Sequence, residues 1–121
     1  MADVTEIKNY MKRMLRLVNT ADFSIFGSSL VKKSKVDDLI VCIFALLPDS
    51  YKKTMKKRVP LDLYPSVSSL NRLSKIIRKP FFLSKDYYFF KTSEAITLIQ
   101  NVSINIEKDI RKIEEDEQQK L

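Results

Sequence analysis

The residues of this chain whose chemistry is most legible are its cations. Lys52, Lys53, Lys56, Lys57 and Arg58 fill five of the seven positions from 52 to 58, with no acidic residue among them. Gathering like charges this densely is unfavourable unless a polyanion offsets the repulsion, so the stretch points to phosphate. A second set follows at Arg72, Lys75, Arg78 and Lys79. Drawn as a helix at about 100° per residue, residues 67–79 put Val67, Leu70, Leu73, Ser74 and Ile77 on one side. Ser68, Arg72, Lys75 and Lys79 share the opposite side, with Asn71 and Arg78 at its edge. An apolar back and an outer stripe of donors suit a helix that lies in the major groove of DNA. There Arg or Lys can reach guanine O6 and N7, and Asn can pair with adenine. The N-terminal part of such a helix usually reads the bases. Ser68, Asn71, Arg72 and Lys75 are therefore the candidates for base edges. Lys52, Lys53, Lys56, Lys57, Arg58, Lys79 and Lys85 are the candidates for phosphate and minor-groove contact, with Lys91 beside them. On residues 67–79 alone an ordinary solvated face would be the better explanation. The cluster at 52–58 tips the balance.

Catalysis finds no comparable support. The chain has no His, and its single Gly cannot build a phosphate-cradling or dinucleotide-binding turn. Cys42 stands in an apolar run with no activating partner and reads as core. The acidic residues gather at Asp37-Asp38, a helix start, and at Glu114–Glu117, a solvated end. No catalytic residue, metal or cofactor is expected. One cysteine forms no internal disulfide, which suits a reducing, cytoplasmic setting, associated with the nucleoid in a prokaryote.

Charge is unevenly spread. Residues 1–92 carry 18 Lys/Arg against 8 Asp/Glu, net +10, whereas residues 93–121 carry 4 against 7, net −3. A basic body with an acidic tail implies a polyanionic partner for the body alone. The N-terminal segment is charged and amphipathic rather than signal-like. The longest apolar run, Leu39–Pro48, is too short to span a bilayer. At 121 residues one domain is expected.

Several elements would have to position these cations. Asp3 and Glu6 mark the start of an amphipathic helix over 3–18, with Val4, Ile7, Met11, Met14, Leu15 and Val18 as its apolar side. Asp22 opens a short second helix through Phe23, Phe26, Leu30 and Val31. Ser34 caps a third, whose "LIVCIFALL" run is apolar all round and should lie mid-core; a buried strand is the competing reading, and the capping signal and polar start favour helix. Asp49 or Ser50 caps a fourth, from 51 to 59. Ser66 caps a fifth, over 67–79. The aromatic runs either side of Ser84-Lys85-Asp86 read as a small antiparallel hairpin. Strand alternation turns about half of Phe81, Phe82, Tyr87, Tyr88, Phe89 and Phe90 towards the core. A stacking platform for single strands is the rarer use of such rings. Thr92 or Ser93 opens a long helix to about 117. Its residues Ile99, Val102, Ile106, Ile110 and Ile113 make a coiled-coil-like seam, taken as a dimer interface, with packing inside one chain as the alternative.

The order of these segments resembles the winged helix-turn-helix of MarR-like and PadR-like transcription regulators. "VDDLIVCIFALLP" is similar to the supporting helix, "SYKKTMKKRV" to the first helix of the motif and "PSVSSLNRLSKIIRK" to the recognition helix. "PFFLSKDYYFFKTSEAITLIQ" is similar to the wing and the helix after it. The resemblance covers about 36–100. It implies a mainly α fold with a small β-hairpin wing. Its core is at about 36–92, and helices 3–18 and 93–117 serve dimerisation. It also implies a homodimer on double-stranded DNA that reads sequence or acts architecturally, with Lys85 at the wing tip. Lys79-Pro80 stands where the family usually has Gly, and the wing turn lacks Gly. A second possibility is a small basic helical assembly subunit of a nucleoprotein complex or capsid, since "FALLPDSYKK" resembles a short stretch of retroelement capsid proteins. A small-molecule effector between Tyr10, Phe23, Phe26 and Tyr51 is left open.

Overall fold

A computed structural model of the chain describes residues 4–21 and 23–119. Capping at Asp3 and Asp22 lies outside the described residues. The elements run α1 (Val4–Asn19), β1 (Phe23–Ile25), β2 (Ser28–Lys32), α2 (Lys33–Leu46), α3 (Asp49–Lys56), α4 (Pro65–Ile76), β3 (Pro80–Phe81), β4 (Ser84–Lys91) and α5 (Thr92–Gln119). The fold is thus mainly helical, with one four-stranded antiparallel sheet in the order β1-β2-β4-β3. Among the described residues no helix is long and apolar enough to cross a membrane.

One core joins the elements. α1 buries Ile7, Met11, Met14 and Val18, the three-and-four spacing of an amphipathic helix. α5 has 28 residues, a length of about 42 Å, and forms the spine against which α1 and α4 pack. α4 buries Val67, Leu70 and Leu73, and just beyond its end Ile77 is buried too.

The seam of α5 serves this core. Ile99, Val102, Ile106, Ile110 and Ile113 are between 0% and 3% exposed in the single chain. The expected dimer interface is therefore corrected: α1 and α4 already cover these side chains, and nothing is left for a second copy to bury.

Three local expectations change as well. The segment 23–32 is a β-hairpin, not a short helix. Phe26 and Gly27, with φ of 49° and 80°, form a two-residue turn of the kind that hairpin twist favours. The partner that decides the issue is distant, because β2 pairs with β4 at five positions from Ser28↔Lys91 to Lys32↔Tyr87. α2 is not buried all round. Only Val36, Ile40 and Ile43 are buried within it, Val41 is 66% exposed, and Cys42 is half-buried. One side of α2 faces solvent because only α1, β2 and β4 lie against it in number. It also starts at Lys33 without a side-chain cap, so Ser34 is not its cap.

The second hairpin turns at Phe82-Leu83, not at Ser84-Lys85-Asp86. Phe81 already pairs with Ser84, and the register is irregular towards Pro80↔Tyr88. Lys85 is consequently a residue of β4 and not the tip of the hairpin.

Candidate nucleic-acid interface

α4 is anchored from below by a buried polar network. Pro65 is the first helical residue, where its missing N–H costs nothing. The backbone N–H of Ser66 donates to Asp109 Oδ2 of α5 at 2.7 Å, and both residues are buried. Asp109 thereby satisfies an end group of α4 that a local cap would otherwise serve. The Ser66 hydroxyl meets Tyr51 Oη of α3 at 2.7 Å, and burial pushes the Tyr51 hydroxyl pKa up. Further along, Asn101 Nδ2 donates to Ser69 Oγ at 2.6 Å. In the loop before α4, Tyr64 Oη donates to Asp116 Oδ2 at 2.6 Å. That bond is the main reason its pKa is pushed up to about 12.

This anchoring corrects the expected reading surface. Ser66 is not a solvent-facing cap, and the first turn of α4 is covered by α5. Ser68 is half-buried, and its hydroxyl donates to Leu61 O at 3.2 Å. Asn71 is half-buried too, and its Nδ2 donates to Met55 O at 3.0 Å. Both donors hold the 57–64 loop and the end of α3 in place and are not presented outward. Holding that connection is a different task from reading base edges. Arg72 and Lys75 remain exposed. Arg72 sends Nε and Nη2 to Glu94 Oε1 at 2.9 and 2.8 Å, yet its side chain is 68% exposed. A surface pair of this kind is worth only about 0–1 kcal/mol, so a phosphate or base edge can compete for the guanidinium.

The cations form a continuous strip. A groove of about 740 Å³ between the 57–64 loop, α4 and α5 is lined by Lys57, Arg58, Arg72 and Lys75, with Leu98 and Asn101 as its floor residues from α5. A second groove of about 640 Å³ shares Lys75 and continues past Arg78, Lys79 and Lys91 to Phe26 and Phe89 of the sheet. Seven cations border the two grooves, and Glu94 is the only carboxylate among the lining residues. Lys52, Lys53 and Lys56 of α3 do not line them, and Lys52 is half-buried. Lys85, exposed on β4, lies outside both.

Of the residues expected to meet DNA, Lys57, Arg58, Arg72, Lys75 and Lys79 border the two grooves, and Arg78 and Lys91 join them there. Lys91 had a signal: it stands two residues beyond Phe89 on a strand, hence on the same face. The role of Asp109 had none, because its partner is 43 residues away. The effector cleft has no geometric basis in one respect, since Tyr51 is fully buried while Phe26 is fully exposed. No protein-family model matches the chain, and neither does any curated protein or solved structure.

Proposed function

We propose that the protein binds double-stranded DNA through the cationic strip along α4, mostly by phosphate contacts, as a regulator of transcription or an architectural protein. The observation that carries this reading is the strip itself: Lys57, Arg58, Arg72, Lys75, Arg78, Lys79 and Lys91 border two adjoining grooves with one carboxylate among them. A duplex presents closely spaced phosphates that such a strip can neutralise. The winged-helix reading draws support from element order. A hairpin, β3–β4, directly follows the basic helix, and its second strand pairs back on β2, ahead of the helices. Phe82 and Leu83 would then be the wing tip.

Of the four base-edge candidates, Arg72 and Lys75 are the exposed pair, Arg72 through a surface ion pair with Glu94 that a ligand can displace, so discrimination between duplexes rests on them and is modest. A gel shift across several duplexes tests this. Arg72→Ala with Lys75→Ala should flatten any preference while the far-ultraviolet circular dichroism stays unchanged. A preference that survives the double substitution would remove α4 as the reader. Two copies on a two-fold site remain part of the proposal, with their contact away from the buried seam. Sedimentation decides it, because a free and DNA-bound monomer would remove the two-fold site.

A further inference from the structure

The outward face of the sheet carries a feature that the α4 strip does not use. Strand pairing sets Phe23, Leu30 and Phe89 opposite one another across β1, β2 and β4. Phe81 of β3 extends the row, its ring centroid 5.2 Å from that of Phe89, and Phe82 stacks on Phe81 at 5.3 Å with 28° between planes. The alternate residues of β4, Tyr88 and Phe90, are buried in the core. The row therefore points away from the core, and its ends are open: Phe23 is 58% and Phe82 87% exposed. Leu30 is buried between Phe23 and Phe89, and Phe81 and Phe89 are half-buried, so Phe23 and Phe82 are the rings left open to solvent; their exposure calls for an explanation, since burial is the usual use of Phe.

Cations frame the row. Lys32 pairs with Tyr87 on one side of it and Lys91 with Ser28 on the other, and both lysines are exposed. Each lies two residues along its strand from the row, roughly 6.6 Å. No acidic residue is among the positions these registers place on this face. The charge selects the occupant. A second copy on this face would set like charge against like, because Lys32 and Lys91 border it and no carboxylate is among the positions the registers place there. A strand of nucleic acid with unpaired bases matches both halves of the pattern, because its bases stack on rings while its phosphates meet ammonium groups.

We infer that this face binds single-stranded nucleic acid, with bases stacked on Phe23, Phe81, Phe82 and Phe89 and phosphates held by Lys32 and Lys91. It adjoins the surface that carries the duplex reading, shares Ser28, Phe89 and Lys91 with the second groove, and leaves Arg72 and Lys75 outside. The test is fluorescence anisotropy of a labelled oligothymidylate beside a strand of equal length and charge with abasic sites. The oligothymidylate should bind at least about tenfold more tightly than the abasic strand. Phe23→Ala and Phe82→Ala, both at exposed positions, should each weaken it about fivefold or more. Arg72→Ala with Lys75→Ala should leave it unchanged while weakening duplex binding. Equal affinity for the two strands overturns the inference without any variant. So does binding of phosphatidylserine vesicles without binding of the oligonucleotide, or a dimer in solution that Phe23→Ala dissociates.

Discussion

Asp109 gives the sharpest test of how α4 is held. Its carboxylate is 1% exposed, and Oδ2 accepts the buried Ser66 N–H at 2.7 Å. Asp109→Ala removes the acceptor and leaves that N–H without a partner at the covered end of α4. A hydrogen bond to a charged group is worth about 1.5–3 kcal/mol, and an orphaned buried donor costs about 1–3 kcal/mol. The two figures describe the same bond seen from its two ends and are not summed, so the expected loss is about 2–3 kcal/mol. Against a total stability of about 5–15 kcal/mol this is a large fraction. Asp109→Asn keeps an amide oxygen in reach of the N–H and should lose only about 1 kcal/mol. Equilibrium unfolding in urea, with wild type and both variants compared at equal slope, reads the difference. Two results would refute the reasoning: an Ala variant within about 0.5 kcal/mol of wild type, or an Asn variant less stable than the Ala variant. Either would mean that apolar packing of Val67, Leu70 and Leu73 fixes α4 and the carboxylate is incidental.

The tyrosine network predicts a response to alkali. Tyr64 is pushed up to about 12, chiefly by its bond to Asp116, so its contribution is complete below the unfolded value near 10 and is lost as pH rises through about 12. The stability gap between wild type and Tyr64→Phe should accordingly narrow between those limits in unfolding experiments, and a constant gap would count against the bond. At the first hairpin, Gly27→Ala meets no atom within 4 Å but must hold φ near 80°, which costs about 1 kcal/mol and should lower the melting temperature by roughly 4 °C. A raised melting temperature would mean that the turn is not held in that conformation.

The helices were legible where one face repeats at three and four residues, as in Ile7, Met11, Met14 and Val18. The same periodicity misled at 23–31, where Phe23, Phe26, Leu30 and Val31 fit a helix by spacing, but Leu30 and Val31 pair with Phe89 and Tyr88, Phe23 pairs with Leu30, and Phe26 falls in the turn between the strands. Likewise Phe82-Leu83 became the turn because Phe81 closes on Ser84, a choice made by the sheet and not by turn chemistry. The α5 seam was visible as a stripe, but a stripe does not name its partner, and α1 and α4 supply it within the chain. The cations of the strip were legible individually. Their continuity depends on Lys91 returning beside Lys75 and Arg78, which only the sheet arranges. Spacing puts Ser68 on the polar side of α4 and Asn71 at its edge, yet their hydrogen bonds to Leu61 and Met55 depend on a loop path that spacing does not encode.

Duplex binding measured against salt tests the central claim most directly. If the strip neutralises about six phosphates, affinity should fall roughly a thousandfold between about 50 and 200 mM salt. Arg72→Ala with Lys75→Ala should lower the log–log slope by close to two contacts' worth, about 1.8. A slope near zero, or one that the double substitution leaves unaltered, would contradict the assignment of this surface to DNA.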